Sequence, residues 1–150
     1  MAIPATFELQ ILTPERLLVK TQVDEAVIPG TEGYFGVLPG HTPMLAALSI
    51  GELWYRIGQE KTFLAIAYGF CEVLPDRVTV LARIAERAED IDPARAEEAR
   101  KRAEARLQQM KDIDFERARM ALEKALTRLQ ASSRVPAGRI GHRRMPPPQA

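Results

Sequence analysis

A chain of 150 residues is long enough for one medium domain, or for a small core domain with an appendage. Its hydrophobic fraction of 46% and charged fraction of 27% are those of an ordinary globular protein, and a net charge of +1 offers no basic stripe for nucleic acid. No apolar run approaches the roughly 20 residues of a membrane helix, no secretory signal opens the sequence, and the lone Cys71 excludes a disulfide framework, so a reducing, cytosolic setting is expected.

In chain order, Phe7, Leu9 and Ile11 alternate with Glu8 and Gln10, the period of a strand. Short apolar runs follow at 17–19, 26–28, 34–38, 45–48, 53–57, 63–68, 70–74 and 78–84. Thr13-Pro14, Pro29-Gly30, Pro39-Gly40, Ile50-Gly51, Gly58-Gln59 and Pro75-Asp76 punctuate them. Many short strands with frequent turn signals predict a β-sandwich or barrel over 1–86, with antiparallel pairing and a hairpin at Gly58-Gln59.

Composition then changes. Glycine disappears until Gly138, and Ala, Glu, Arg, Lys and Gln dominate. Asp92-Pro93 supplies an N-cap acid followed by proline at the first helical position. Ala96, Ala99, Ala103, Leu107 and Met110 recur at helical spacing; Asp112-Ile113-Asp114 interrupts, with Asp114 as a second cap. Ala118, Ala121, Leu122, Ala125 and Leu129 form the next stripe. The short connection predicts an antiparallel helical hairpin over 87–131, marginally stable on its own because alanine buries little area. Residues 132–150 hold Arg134, Arg139, Arg143 and Arg144 without an acid, and their Pro, Gly and Ser content predicts a disordered basic tail.

Catalytic chemistry is not evident. The histidines are His41 and His142, no spacing matches a metal site, and a triad would have to combine His41 with Ser49 and Asp24. Gly30, Gly33 and Gly36 lack the Lys-Ser/Thr of a phosphate loop and read as turn residues. Trp54 and Phe63 read as core or interface residues and Cys71 as an inert buried thiol.

The most specific stretch is PGTEGYFGVLPGHTP at 29–43, followed by Met44 and the run 45–48. Alone it describes a rigid double turn. Its residue order resembles the signature of ATP synthase epsilon subunits (delta in mitochondria). The resemblance extends to FELQILTP at 7–14, to Tyr68-Gly69-Phe70 before Glu72-Val73, and to the Ala/Glu/Arg hairpin, covering about 7–128 in order. It implies a non-catalytic central-stalk subunit that joins the gamma subunit to the c-ring loops, peripheral to the cytoplasmic face of the membrane through the complex. Thr31, Glu32 and Tyr34 match the loop that reaches the c-ring, and His41 the motif histidine, for which a turn role is equally compatible. On the residues alone, a free-standing ligand-binding sandwich with a dimerising hairpin explains the strands and stripes, but not the Gly-Pro-His segment.

IDPARA at 91–96 resembles the motif that accompanies ATP binding in some bacterial members. The resemblance implies a site for ATP as a regulatory ligand, no cofactor being required, built from Glu86, Ile91, Asp92, Arg95, Ala96, Arg102, Arg117 and Arg128. A helix N-terminus suits phosphate, and Arg95 and Arg102 lie on one helical face two turns apart. Lys124 stands where those members carry arginine, keeping the charge but not the bidentate fork. The alternative is that Asp92 merely caps the helix and the arginines pair with Glu97, Glu98 and Glu104. In bacterial relatives the hairpin also extends and inhibits hydrolysis among the catalytic alpha and beta subunits. The matching basic residues are Arg117, Arg119, Lys124 and Arg128.

Overall fold

The computed structural model describes residues 2–109 and 115–136. Seven strands come first: β1 (Phe7–Leu12), β2 (Leu17–Val23), β3 (Glu25–Gly30), β4 (Gly33–Val37), β5 (Met44–Ile57), β6 (Glu60–Val73) and β7 (Arg77–Arg87). A 3-10 turn at Ala88–Asp90 leads into α1 (Pro93–Gln108) and α2 (Phe115–Ser133). The strands form one hydrogen-bonded sheet in the order β2-β1-β7-β6-β5-β3-β4. The expected β-sandwich followed by a helical hairpin is present, and its strands differ from expectation in pairing and in length.

First, β1 pairs parallel with β7, matching Leu9 to Val78 and Ile11 to Val80. Short connections favour antiparallel neighbours, but they bear only on strands adjacent in sequence. Here five intervening strands act as the crossover. Second, the runs expected as separate strands at 45–48 and 53–57 are one long strand, β5, and those at 63–68 and 70–74 are one strand, β6.

The long strands make the sandwich by creasing together. In β6 the core-facing residues are Leu64 and Ile66 before the crease, then Cys71 and Val73 after it, so the inward parity switches from even to odd. In β5 it switches between Leu48 and Leu53, and in β7 between Ala82 and Ala85. All three switches fall at one level, where the pairing skips Ser49, Tyr68 and Arg83. One continuous ladder thereby supplies both layers, with β1 and β2 on one side and β3 and β4 on the other. Tyr68 has a φ of 61° and Gly69 of 124°. A Cβ on Gly69 would lie 1.9 Å from the Leu81 carbonyl oxygen, so only glycine fits the bend. Gly51, expected to punctuate, instead lies inside β5. A Cβ there would meet the Tyr34 hydroxyl at 2.5 Å and Pro29 Cβ at 2.6 Å. Its smallness seats a neighbour and does not end a strand.

The core between the layers includes the fully buried Phe7, Leu9, Ile11, Ile28, Leu53, Leu64 and Ile66. Each large side chain contributes about 1.5–3 kcal/mol by burial. The hairpin relies on far smaller groups: α1 buries Ala96 and Ala103, and α2 buries Ala118, Ala125, Ala131 and Ser132. Its base joins the sheet through a second cluster of Ala65, Ala88, Ile91, Ala96 and Ala131, with Phe63, Leu129 and Val135 half-buried around it.

At the start of α1 the Asp92 carboxylate accepts from the backbone N–H groups of Ala94 at 3.0 Å and Arg95 at 3.2 Å, and Pro93 follows. The helical end differs from expectation. Ala131 and Ser132 are buried and α2 continues to Ser133, because its last turn lies against the sheet and is held there by packing. Met110, Asp112, Ile113, Asp114, and the tail from 137 on, including Arg139, His142, Arg143 and Arg144, lie outside the described residues.

Candidate functional site

Where β7 hands over to α1, the chain turns through the 3-10 turn and places a helix N-terminus beside the end of the sheet. Glu86, Asp90, Ile91, Asp92, Arg95, Ala96, Ala99, Arg102 and Arg128 line a groove there of about 420 Å³. Seven of the eight residues expected at a nucleotide site are in that set. The eighth, Arg117, lines a neighbouring cavity of about 720 Å³ with Tyr68, Arg83, Arg106, Met120, Lys124 and others. Ala99, Arg102 and Arg128 border both spaces. These volumes lie within the roughly 300–1,000 Å³ of ligand pockets.

The floor of the groove is an ion pair between the two domains. Arg128 on α2 reaches Glu86 on β7, with Nη2 2.7 Å from Oε1 and Nε 3.1 and 3.0 Å from the two carboxylate oxygens. Both side chains are about one-third exposed, and the forked geometry is the strong form of such a pair. Ile91 and Ala96 are buried and form the apolar wall. Arg95 and Arg102 are exposed along α1, and Asp92 spends its carboxylate on the cap, leaving its helix start ordered beside the groove.

The larger cavity collects cations from three elements: Arg83 from the sheet, Arg102 and Arg106 from α1, and Arg117, Lys124 and Arg128 from α2. Lys124 Nζ stands 5.3 Å from the centre of the Tyr68 ring, so the lysine is steered by the residue at the crease. Arg83, Arg106 and Tyr68 were not expected at a site. Arg83 sits mid-strand with no motif around it, and only the crease brings it under the hairpin.

Solvated pairing also occurs, on other parts of the helices. Arg100 binds Glu97 and Glu104, each at 2.5 Å, and Arg119 binds Glu116 and Glu123. The hydrogen bond from Arg100 holds the Glu97 carboxyl below the usual carboxylate range. Of the arginines expected at the site, Arg102 approaches Glu98 at 3.9 Å on an exposed surface, a weak contact.

The second group of expected residues lies at the β3–β4 edge of the sheet and in the connection that follows. Thr31 and Glu32 form the exposed tip of the β3–β4 hairpin, and Tyr34 follows on β4, 60% exposed. The Tyr34 hydroxyl accepts from the Glu52 backbone N–H at 3.1 Å, so the ring is fixed although exposed. His41 belongs to the next connection, where its Nδ1 lies 2.7 Å from the Thr42 carbonyl oxygen. The Ser49 hydroxyl donates to the Gly30 carbonyl, and Asp24 accepts from the Gly58 N–H at 2.6 Å. Each of the three triad candidates is therefore committed locally to a different structural contact. Among the described residues, no group of three or more His, Cys, Asp or Glu is placed to hold a metal ion, and no helix is long and apolar enough to cross a membrane.

Residues 6–88 match the family ATP synthase, Delta/Epsilon chain, beta-sandwich domain, and residues 89–133 match its long alpha-helix domain. The chain is 57% identical over 103 residues to an ATP synthase epsilon chain of Koribacter versatilis, covering 69% of this chain and 72% of that one. It is 54% identical over 105 residues to the epsilon chain of Syntrophobacter fumaroxidans, covering 70% and 78%. Among solved structures it is similar to a chain of the Euglena gracilis mitochondrial ATP synthase (OSCP/F1/c-ring, rotational state 1). The TM-score is 0.79 at 27% identity, over 89% of this chain and 84% of that one. A chain of the Tetrahymena thermophila central stalk and c-ring shares the fold, with a TM-score of 0.55 at 11% identity over 85% and 93%. With both domains matched in order, the creased sandwich and its docked hairpin are those of an epsilon chain, and this protein belongs to the ATP synthase delta/epsilon family.

Proposed function

We propose that this chain is a non-catalytic central-stalk subunit of an F-type ATP synthase, coupling the gamma subunit to the c-ring and regulating ATP hydrolysis through its hairpin. The observation that carries this reading is the match of both family domains, in order, to a sandwich with its helices folded against it. Thr31, Glu32, Tyr34 and His41 are the proposed contacts with c-ring or gamma. The exposed hairpin tip and the fixed Tyr34 ring favour them, since a preordered surface loses little freedom on binding. The subunit is peripheral to the cytoplasmic face of the membrane and held there by its partners.

ATP is the proposed regulatory ligand. Support comes from the groove that gathers Glu86, Ile91, Asp92, Arg95, Ala96, Arg102 and Arg128 at a helix N-terminus, with Arg117 in the adjoining cavity. A ligand that touches α1, α2 and the sheet together favours the docked hairpin over an extended one, and that difference in affinity is what makes it a switch. In the extended form Arg117, Arg119, Lys124 and Arg128 would meet the alpha and beta subunits and inhibit hydrolysis. Arg95→Ala is expected to weaken ATP binding by roughly tenfold, the effect of losing one charge-assisted contact. The deciding experiment is binding of the purified chain to a gamma-containing rotor complex, with and without ATP. Tight binding with ATP-dependent protection of the hairpin supports both parts; failure to bind gamma removes the stalk assignment.

A further inference from the structure

On the outer face of the sheet, beneath the last turns of α2, three residues stand in one cross-strand row. Glu52 on β5 pairs with Ala65 on β6, and Ala65 pairs with Glu86 on β7. Small residue between two acids is an unusual surface for a sheet, and one of the acids is shut away from water: Glu52 is only 6% exposed. Its Oε2 is a buried oxygen without a hydrogen-bond partner, and its Oε1 receives Nη2 of Arg134 at 3.4 Å. Arg134 also lies over the Phe63 ring, 5.3 Å from the centre.

Above the row, Arg128, Ala131 and Arg134 follow at three-residue spacing, so they descend one side of the helix end. Arg128 takes Glu86, Ala131 is fully buried in the cluster that contains Ala65, and Arg134 takes Glu52. Acid, small, acid on the sheet meets Arg and Ala on the helix and Arg134 just past its end. We infer that this six-residue clasp sets the docked pose of the hairpin, and that Arg134 is its register mark.

The physical reason lies in the burial of one partner: Arg134 is half-exposed, whereas the Glu52 carboxylate it covers is buried. Replacing both partners with apolar groups costs little, whereas removing one strands the other charge away from water. A slip of α2 by one turn would set Ala131 over Glu52 and Arg128 over Ala65, leaving the buried carboxylate against a methyl group. Undocking hydrates Glu52, so the clasp opposes misplacement more strongly than it opposes release.

The clasp belongs to the isolated chain, so its test needs neither rotor nor nucleotide and can fail separately from the stalk and ATP readings. Amide hydrogen exchange is followed across 115–133 and across β5–β7 in the full chain. Arg134→Ala is expected to speed exchange in α2 by at least about tenfold while the strands keep their protection, because it strands Glu52. Adding Glu52→Met is expected to bring α2 back to within about threefold of the parent, since no buried charge then remains. Unchanged exchange in Arg134→Ala, or a double variant no slower than the single, overturns the clasp and leaves Arg134 as a packing residue on Phe63. Loss of strand protection in either variant also overturns it, because the row lies outside the principal core between the layers.

Discussion

Gly69 and Cys71, two residues apart on β6, illustrate how much a single position decides. Gly69→Ala must accommodate a Cβ against a backbone carbonyl at 1.9 Å while holding a φ of 124°. The expected loss is on the order of 3 kcal/mol or more, read as a fall in the urea midpoint. Cys71 faces the core, and burial, aided by the Glu72 charge, pushes its thiol up to about 12 from an ordinary 9.0. The folded state therefore keeps the proton that the unfolded state releases. Its contribution to stability is complete below about pH 9 and is lost as pH rises toward 12. Alkylation of the native chain at pH 8 is expected to be negligible, and fast once the chain is denatured; rapid native labelling would contradict the buried assignment. The sequence reading of Cys71 as an inert buried thiol agrees with this placement, since alternation alone put it opposite Glu72. The bend at Gly69 was not legible, because Tyr68-Gly69 sits between two good strand runs and looks like a boundary between strands. What distinguishes a boundary from a crease is the pairing on both sides, and that is set by β5 and β7.

At the scale of elements, local signals fared best where the cause is local. The Asp92-Pro93 cap and the Gly58-Gln59 turn each arise from near neighbours and are where the sequence placed them, and of the expected helical stripes Ala96, Ala103, Ala118 and Ala125 are buried. Long-range pairing was less accessible: nothing near Leu9 indicates that Val78 will be its parallel neighbour. The same holds for the end of α2, where polar composition suggested disorder from Ser132, while the buried Ala131 owes its place to a cluster with Ala65 and Phe63 on the sheet. The hairpin itself is held by close approach of small side chains. Ala125, fully buried, tests this: Ala125→Leu is expected to cost the hairpin about 1–3 kcal/mol by overpacking. Amide protection in α1 and α2 should fall while the sandwich keeps its own. Equal loss in both would mean that sheet and hairpin unfold as one unit.

For the whole molecule, the first half of the groove was found as a contiguous motif, Ile91 to Ala96, that resembles one in the family and opens a helix. Its second half was supplied only by family resemblance, since Glu86 and Arg128 are 42 residues apart. Arg83 and Arg106 escaped notice for the same reason, each being an ordinary exposed charge until the fold sets it at the edge of the larger cavity. Because the principal core draws only on the strands and residues between them, deleting residues 92–150 is expected to leave a folded sandwich. In the assembled complex that deletion should raise ATP hydrolysis; unchanged turnover would count against an inhibitory hairpin. The crease has a mechanical consequence. In a sandwich of two separate sheets, a sideways load passes across an apolar contact that can slide. Here β5, β6 and β7 run unbroken from one layer into the other, so a push on the β3–β4 side reaches the β1–β2 side through peptide bonds and their hydrogen-bonded rungs. The domain resists shear as a folded plate does, by stiffness along the fold line.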